Sequence, residues 1–210
     1  MSNSKLKVAV LDLKLGNIGS VKNILSYLNA NFKITNQKDD INNSDALIIV
    51  GIGSFCEAMY NLHELKLQNT IENFLLKKKV LAICLGMQIL FTESEEFQLT
   101  KGINFFNGKI TRFLNEKNLV IPHMMWNDIR FNDNCYQNNL IKKINNKKMY
   151  FTHSYMLKDN NIEDCKIFSK TRYGNQDFIS SFFYNNIICT QFHPELSGKL
   201  GLNIYKYFLE

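Results

Sequence analysis

Proline is nearly missing from this 210-residue chain: there are only two, Pro122 and Pro194. Both stand beside a histidine, which points to fixed backbone at particular places rather than to general punctuation. No linker and no repeat interrupts the sequence, and its one biased segment is the Asn/Lys-rich stretch 132–148. No apolar run approaches the ~20 residues of a membrane span. Met1 to Lys7 is polar rather than signal-like. A cytoplasmic protein with no membrane partner is expected. The five cysteines (Cys56, Cys84, Cys135, Cys165, Cys189) are scattered, odd in number and without a CxxC pair. Neither a disulfide framework nor a zinc site is expected, and no metal or cofactor is implied.

What is present fits one domain spanning 1–210, long enough to bury a sizeable core without staples. The hydrophobic content of 45% is ordinary for a globular protein. A net charge of +6 raises the question of nucleic acid. The lysines at 77–79 and across 142–148 are not interleaved with aromatics, however, and no helix-turn-helix or RNP-like pattern accompanies them. They read as solvated faces, so no nucleic-acid partner is expected.

Lys7 to Leu11, Phe32 to Thr35, Ala46 to Val50 and Val80 to Ile83 are short apolar runs that read as strands. Between them, Val21, Ile24, Leu25 and Leu28 mark one helix face, and Ile71, Phe74 and Leu75 another. This alternation predicts an α/β fold with an open, mostly parallel sheet flanked by helices. The second half is richer in strands: 108–113, 119–122, 149–152, 166–169, 179–183 and 187–191. Turns are expected at Asn145-Asn146 and Asn185-Asn186, and a final helix carries Leu200, Ile204, Tyr207 and Phe208.

Two segments carry chemistry. Cys84 sits where an apolar strand hands over, through Leu85 and Gly86, to a helix with Gln88. Such an elbow exposes a nucleophile at the carboxyl edge of the sheet, presents backbone N–H groups to an oxyanion, and favours a thiolate. Gln191-Phe192-His193-Pro194-Glu195 follows another strand, and Glu195 can orient the His193 ring as its base. Both lie at strand carboxyl ends, where open α/β folds place their sites. The prediction is cysteine-dependent acyl transfer. Gly51-Ile52-Gly53-Ser54-Phe55 is a poor nucleotide loop but a good flexible donor beside Cys84. His123 and His153 stand in aromatic settings without ligand spacing, which suits a substrate loop or an interface better than a metal.

Together these segments resemble the class-I (triad) glutamine amidotransferases, and among them the glutaminase subunits of imidazole glycerol phosphate synthase, from histidine biosynthesis. The likeness runs through Gly16-Asn17, 51–55, 83–88, 122–127, 150–155, 191–195 and Ser197-Gly198-Lys199. It implies a flavodoxin-like fold with a β-rich C-terminal half. It further implies that Cys84 attacks the amide of glutamine, with His193 as base and then acid and Glu195 orienting it. Gln88, Glu96 and the backbone of Ser154 and Tyr155 would hold glutamine, and Gly51, Ile52 and Leu85 would form the oxyanion hole. The resemblance also implies a heterodimer with a (βα)8-barrel synthase subunit that receives the ammonia, with Asn17, His123, Trp126, Asn127, Tyr150 and Leu196 at the interface or gate. The chain departs from the family at Val50 (usually Pro), Met125 (usually Gly), the Asp12 to Asn17 loop, and Leu196 (usually Lys). The last alters the gate, so a paralogous glutaminase serving another acceptor, such as a synthetase of amidino-modified surface sugars, is the alternative.

Overall fold

The computed structural model describes residues 6–16, 18–132, 138–158, 165 and 167–210. The elements run β1 (Lys7–Leu11), α1 (Ile18–Tyr27), β2 (Asn31–Thr35), α2 (Lys38–Asn42), β3 (Ala46–Gly51), α3 (Phe55–Glu64), α4 (Gln68–Lys77) and β4 (Lys79–Cys84). They continue α5 (Leu85–Gln88), β5 (Phe91–Ser94), β6 (Thr100–Lys101), β7 (Phe106–Arg112), β8 (His123–Phe131), α6 (Asn139–Ile144) and β9 (Lys147–His153). The chain closes with β10 (Tyr155–Leu157), β11 (Ile167–Tyr173), β12 (Gln176–Tyr184), β13 (Ile187–Thr190), a 3-10 turn Pro194–Leu196, and α7 (Gly198–Leu209).

Among the described residues the main sheet has nine strands in the order β2-β1-β3-β4-β13-β12-β11-β8-β9. From β2 to β13 every pairing is parallel. From β13 onward every pairing is antiparallel. A smaller sheet, β10-β7-β5-β6, packs against the main one, with Phe91 and Phe106 edge-on to Phe182 of β12. The fold is therefore α/β as expected, with the mostly parallel expectation holding for the half that carries the strand–helix alternation.

Continuous apolar strands are legible because both faces of the sheet are covered. On one face Ala9, Leu11, Leu47 and Ile49 meet Phe55, Ala58 and Leu62 of α3 and Ile71, Phe74 and Leu75 of α4. On the other, Val8, Val10, Ile48 and Val50 meet Val21 and Leu25 of α1 and Ile204, Tyr205 and Phe208 of α7. Each Val, Leu, Ile or Phe among them contributes about 1.5–3 kcal/mol when fully buried. No helix among the described residues is long and apolar enough to cross a membrane.

Three expectations need correcting. Residues 119–122 are turn and irregular backbone, and the strand begins one residue later, at His123. Its exposed Met124 and Met125 hide the period-2 pattern that would have announced it. Helix α3 was not expected, although Ser54 caps it by accepting from the Glu57 N–H at 3.3 Å, the start of a capping box visible in the sequence. The helix after Cys84 is only four residues long, so little macrodipole acts on the sulfur. Both Asn-Asn turns are present, with Asn146 and Asn185 in the left-handed region.

Candidate active site

Three neighbouring parallel strands end side by side. Gly51, the last residue of β3, pairs with Cys84, the last of β4, and Ile83 pairs with Thr190, which brings Gln191 level with Cys84. Cys84 holds φ 51 and ψ −111, a left-handed elbow that costs an L-residue on the order of 1–3 kcal/mol. Gly86 makes this turn possible: a Cβ there would stand 2.1 Å from the Ile49 carbonyl oxygen. The surrounding packing keeps the strain in place, with Cys84 6% exposed and Leu85 3%.

His193 and Glu195 flank the sharp turn after β13. The ring's Nδ1–H donates to Glu195 Oε1 at 2.7 Å, and the ring is fully buried. The His193 backbone N–H donates to the Tyr150 carbonyl, which ties the turn to β9. Burial alone would pull the histidine's pKa down. The Cys84 sulfur and the Glu195 carboxylate outweigh it and raise the pKa to about 10. Both charge and a side-chain hydrogen bond couple the ring to the Cys84 sulfur, although no contact of strict hydrogen-bond geometry engages His193 Nε2.

A cavity of about 260 Å³ opens over the elbow, lined by Gly51, Ile52, Gly53, Cys84, Leu85, Gln88, Glu96 and the segment Thr152 to Tyr155. It thus brings together the nucleophile candidate, the oxyanion candidates and every residue expected to hold substrate. Glu96 accepts the Phe55 N–H at 2.7 Å. Burial raises the Glu96 carboxyl above its ordinary range, partly opposed by that hydrogen bond. The Ile52 N–H, however, donates to the Leu15 carbonyl at 3.2 Å. In this conformation it is not turned toward the sulfur, and of the two expected oxyanion donors only Leu85, at the start of α5, has a backbone N–H without a partner inside its own helix. A larger cavity of about 510 Å³ lies between β8, β11 and β12, lined by residues that include Arg130, Lys170, Arg172 and Asp177 and do not include Cys84. Its size does not make it the site, because its lining has neither a cysteine nor a histidine.

Trp126 and Leu196 are exposed at 46% and 39%, as an interface requires, and Trp126 packs edge-on to Tyr150. Asn127 is half-buried. Asn17 lies outside the described residues. His123 departs from expectation: it is wholly buried, stacked on Phe151 and directly across from His153. It belongs to the wall behind the cavity rather than to an open gate. Sequence reasoning also passed over Gln191, which is fully buried and donates to the Cys84 sulfur at 3.4 Å. The signal was its place in the strand register beside Cys84, which needed the strand order to be seen.

The glutamine amidotransferase class-I family model matches residues 9–209. The chain is 38% identical to the imidazole glycerol phosphate synthase subunit HisH 1 of Campylobacter jejuni, over 96% of this chain and 98% of that protein. It is 40% identical to subunit HisH of Methanocaldococcus jannaschii, over 97% and 98%. Among solved structures it is similar to a glutamine amidotransferase at TM-score 0.70, with 16% identity and 96% of both chains covered. It is similar to PurLQS of Thermotoga maritima at TM-score 0.69, with 16% identity and 98% of both covered. These two likenesses speak for the fold.

Proposed function

This chain belongs to the class-I glutamine amidotransferases, and on that footing we propose that it is the glutaminase subunit of an imidazole glycerol phosphate synthase. It hydrolyses glutamine to glutamate and ammonia through Cys84, His193 and Glu195, and passes the ammonia to a (βα)8-barrel synthase subunit. The observation that carries the chemistry is the elbow cysteine on the wall of a cavity of about 260 Å³, coupled to a buried, carboxylate-held imidazole.

The steps follow from these groups. The Cys84 sulfur attacks the amide carbon of glutamine, and the carbonyl oxygen takes up negative charge facing the Leu85 N–H. The His193 imidazolium gives its proton to the amide nitrogen as the C–N bond breaks, so ammonia leaves and a glutamyl thioester remains. Neutral His193 then takes a proton from water, which attacks the thioester carbon. The C–S bond breaks, glutamate departs, and the thiolate–imidazolium pair is restored.

The oxyanion hole lacks its second donor while Ile52 N–H is bound to Leu15. Gly51 on the other side of that peptide permits it to rotate. Ile52 is itself 46% exposed, close in the chain to the cavity rim, and Met124, Trp126 and Leu196 are exposed apolar residues of the partner face. A barrel subunit that reaches the exposed Ile52 on docking acts on the peptide that must turn, which makes activation a shift between two populations. Glutaminase activity is therefore low in the isolated subunit and rises at least about tenfold when the synthase subunit and its ligand are added. Full activity in the isolated subunit contradicts this reading.

Glu96 pairs the α-ammonium of glutamine in the same scheme. Glu96→Gln raises KM for glutamine by about tenfold or more with a smaller change in kcat. Because its pKa is raised, wild-type KM climbs on acidification at a pH above the ordinary carboxylate range. Steady-state kinetics across pH checks both. A second reading rests on Leu196 and Met125, where the family has Lys and Gly: the same glutaminase feeding a different acceptor. A histidine auxotroph lacking this subunit separates the two, since growth without histidine supports the first reading and failure of a well-expressed protein supports the second.

A further inference from the structure

The hydrogen bonds around the cavity form two one-way chains that meet at one carbonyl oxygen. Gln88 Nε2 donates to the Tyr155 carbonyl at 3.0 Å and to Gln191 Oε1 at 3.0 Å. A carbonyl only accepts, so the Gln88 atom facing it must be the nitrogen. That nitrogen's second hydrogen then demands the oxygen of Gln191, which leaves the Gln191 Nε2–H pointing at the Cys84 sulfur, 3.4 Å away.

From the other side, Asn127 Nδ2 donates to the Arg172 carbonyl at 2.9 Å and faces His123 Nε2 at 3.2 Å. His123 Nε2 is therefore the acceptor, and its Nδ1–H donates to His153 Nε2 at 3.1 Å. His153 Nδ1–H then donates to the Tyr155 carbonyl at 2.8 Å. This assignment uses every ring nitrogen once and needs both rings neutral. Burial holds His123 near 4, and burial with the neighbouring His123 holds His153 near 3. The Tyr155 oxygen is thus clamped between two donors, and neither Gln88 nor Gln191 can reverse its amide without setting like atoms against each other.

We infer that Gln191 is a further catalytic residue of this site, whose side-chain N–H holds the Cys84 sulfur as a thiolate and whose direction is imposed by Gln88 and the clamped Tyr155 carbonyl. The inference rests on Cys84 being the nucleophile. The sulfur also interacts with His193, through charge and a side-chain hydrogen bond, and with the Thr152 carbonyl at 3.9 Å, an acceptor that favours the protonated thiol. The Gln191 donor is nearer than that carbonyl and is buried with the sulfur, so the closer of these two contacts is the one that stabilises negative charge on it. When the thioester is hydrolysed, the same N–H meets the sulfur as it regains its charge.

The test is alkylation of the full chain by iodoacetamide, read on the Cys84 peptide by mass spectrometry so that Cys56 does not contribute. In Gln191→Met, which keeps the length and removes the donor, alkylation at neutral pH slows by about tenfold or more. At strongly alkaline pH, where any accessible thiol is ionised, the variant reaches the parent's rate. Glutamine turnover falls by a similar factor with KM little changed. Gln191→Glu, of nearly the same shape, sets an acceptor against the sulfur and is slower still at neutral pH. It carries the test if the methionine variant fails to fold. Unchanged alkylation at neutral pH, or slowing by one factor at every pH, overturns the inference. Cys84→Ser that still hydrolyses glutamine overturns the underlying reading instead, so the two failures are distinct.

Discussion

Cys84→Ser lowers glutamine-dependent turnover at least about 10³-fold, while synthesis from added ammonia by the assembled complex continues at its usual rate. The hydroxyl is close in size to the thiol, so the elbow and its packing against Gly51 and Gly86 survive. What disappears is the thiol set beside His193 and the Gln191 amide. An alcohol stays protonated in the same surroundings. Retained ammonia-dependent synthesis separates this loss from misfolding or failed docking, because both would remove it as well. Glutamine-driven synthesis in the variant, measured against the ammonia-driven rate, would show that the attacking atom lies elsewhere.

The parallel half of the fold was legible because burial on both faces writes strands as unbroken apolar runs. Lys7–Leu11 and Ala46–Gly51 stand within a residue of where the runs were read. β8 was missed because it is an outlying strand whose Met124, Met125 and Trp126 are exposed. Apolar residues on an open surface carry no alternation. The candidates Cys84, His193 and Glu195 could be named from local chemistry, since an elbow and a His-Pro-Glu turn are written within a few residues. Gln191 and the two buried histidines belong to contacts between segments 30 to 107 positions apart. No local pattern specifies which of several buried amides faces the sulfur. The orientation of the Ile52 peptide is likewise a tertiary fact, set by the Leu15 carbonyl from the loop after β1.

Glu195→Gln tests the other half of the proposed catalytic pair. The amide keeps the shape and can still accept from Nδ1, but the negative charge that helps raise His193 to about 10 is gone. Three consequences follow. Glutamine turnover drops by about 10²–10⁴-fold, the scale on which a neutralised orienting carboxylate acts. The alkaline limb of the pH–rate profile moves to lower pH, because the imidazolium that must protonate departing ammonia is lost sooner. Stability changes as well, with a definite sign. A histidine whose pKa rises on folding from 6.5 to about 10 stabilises the fold fully below pH 6.5 and loses that contribution as pH climbs through 10. In the variant this decline is smaller and ends at lower pH, which thermal melts between pH 6 and 10.5 resolve. A Glu195→Gln enzyme with an unmoved alkaline limb and an unchanged stability profile would mean that the carboxylate does not act through the ring. The sulfur alone would then account for the protonated state of His193, and the carboxylate's part would be confined to packing the turn after β13.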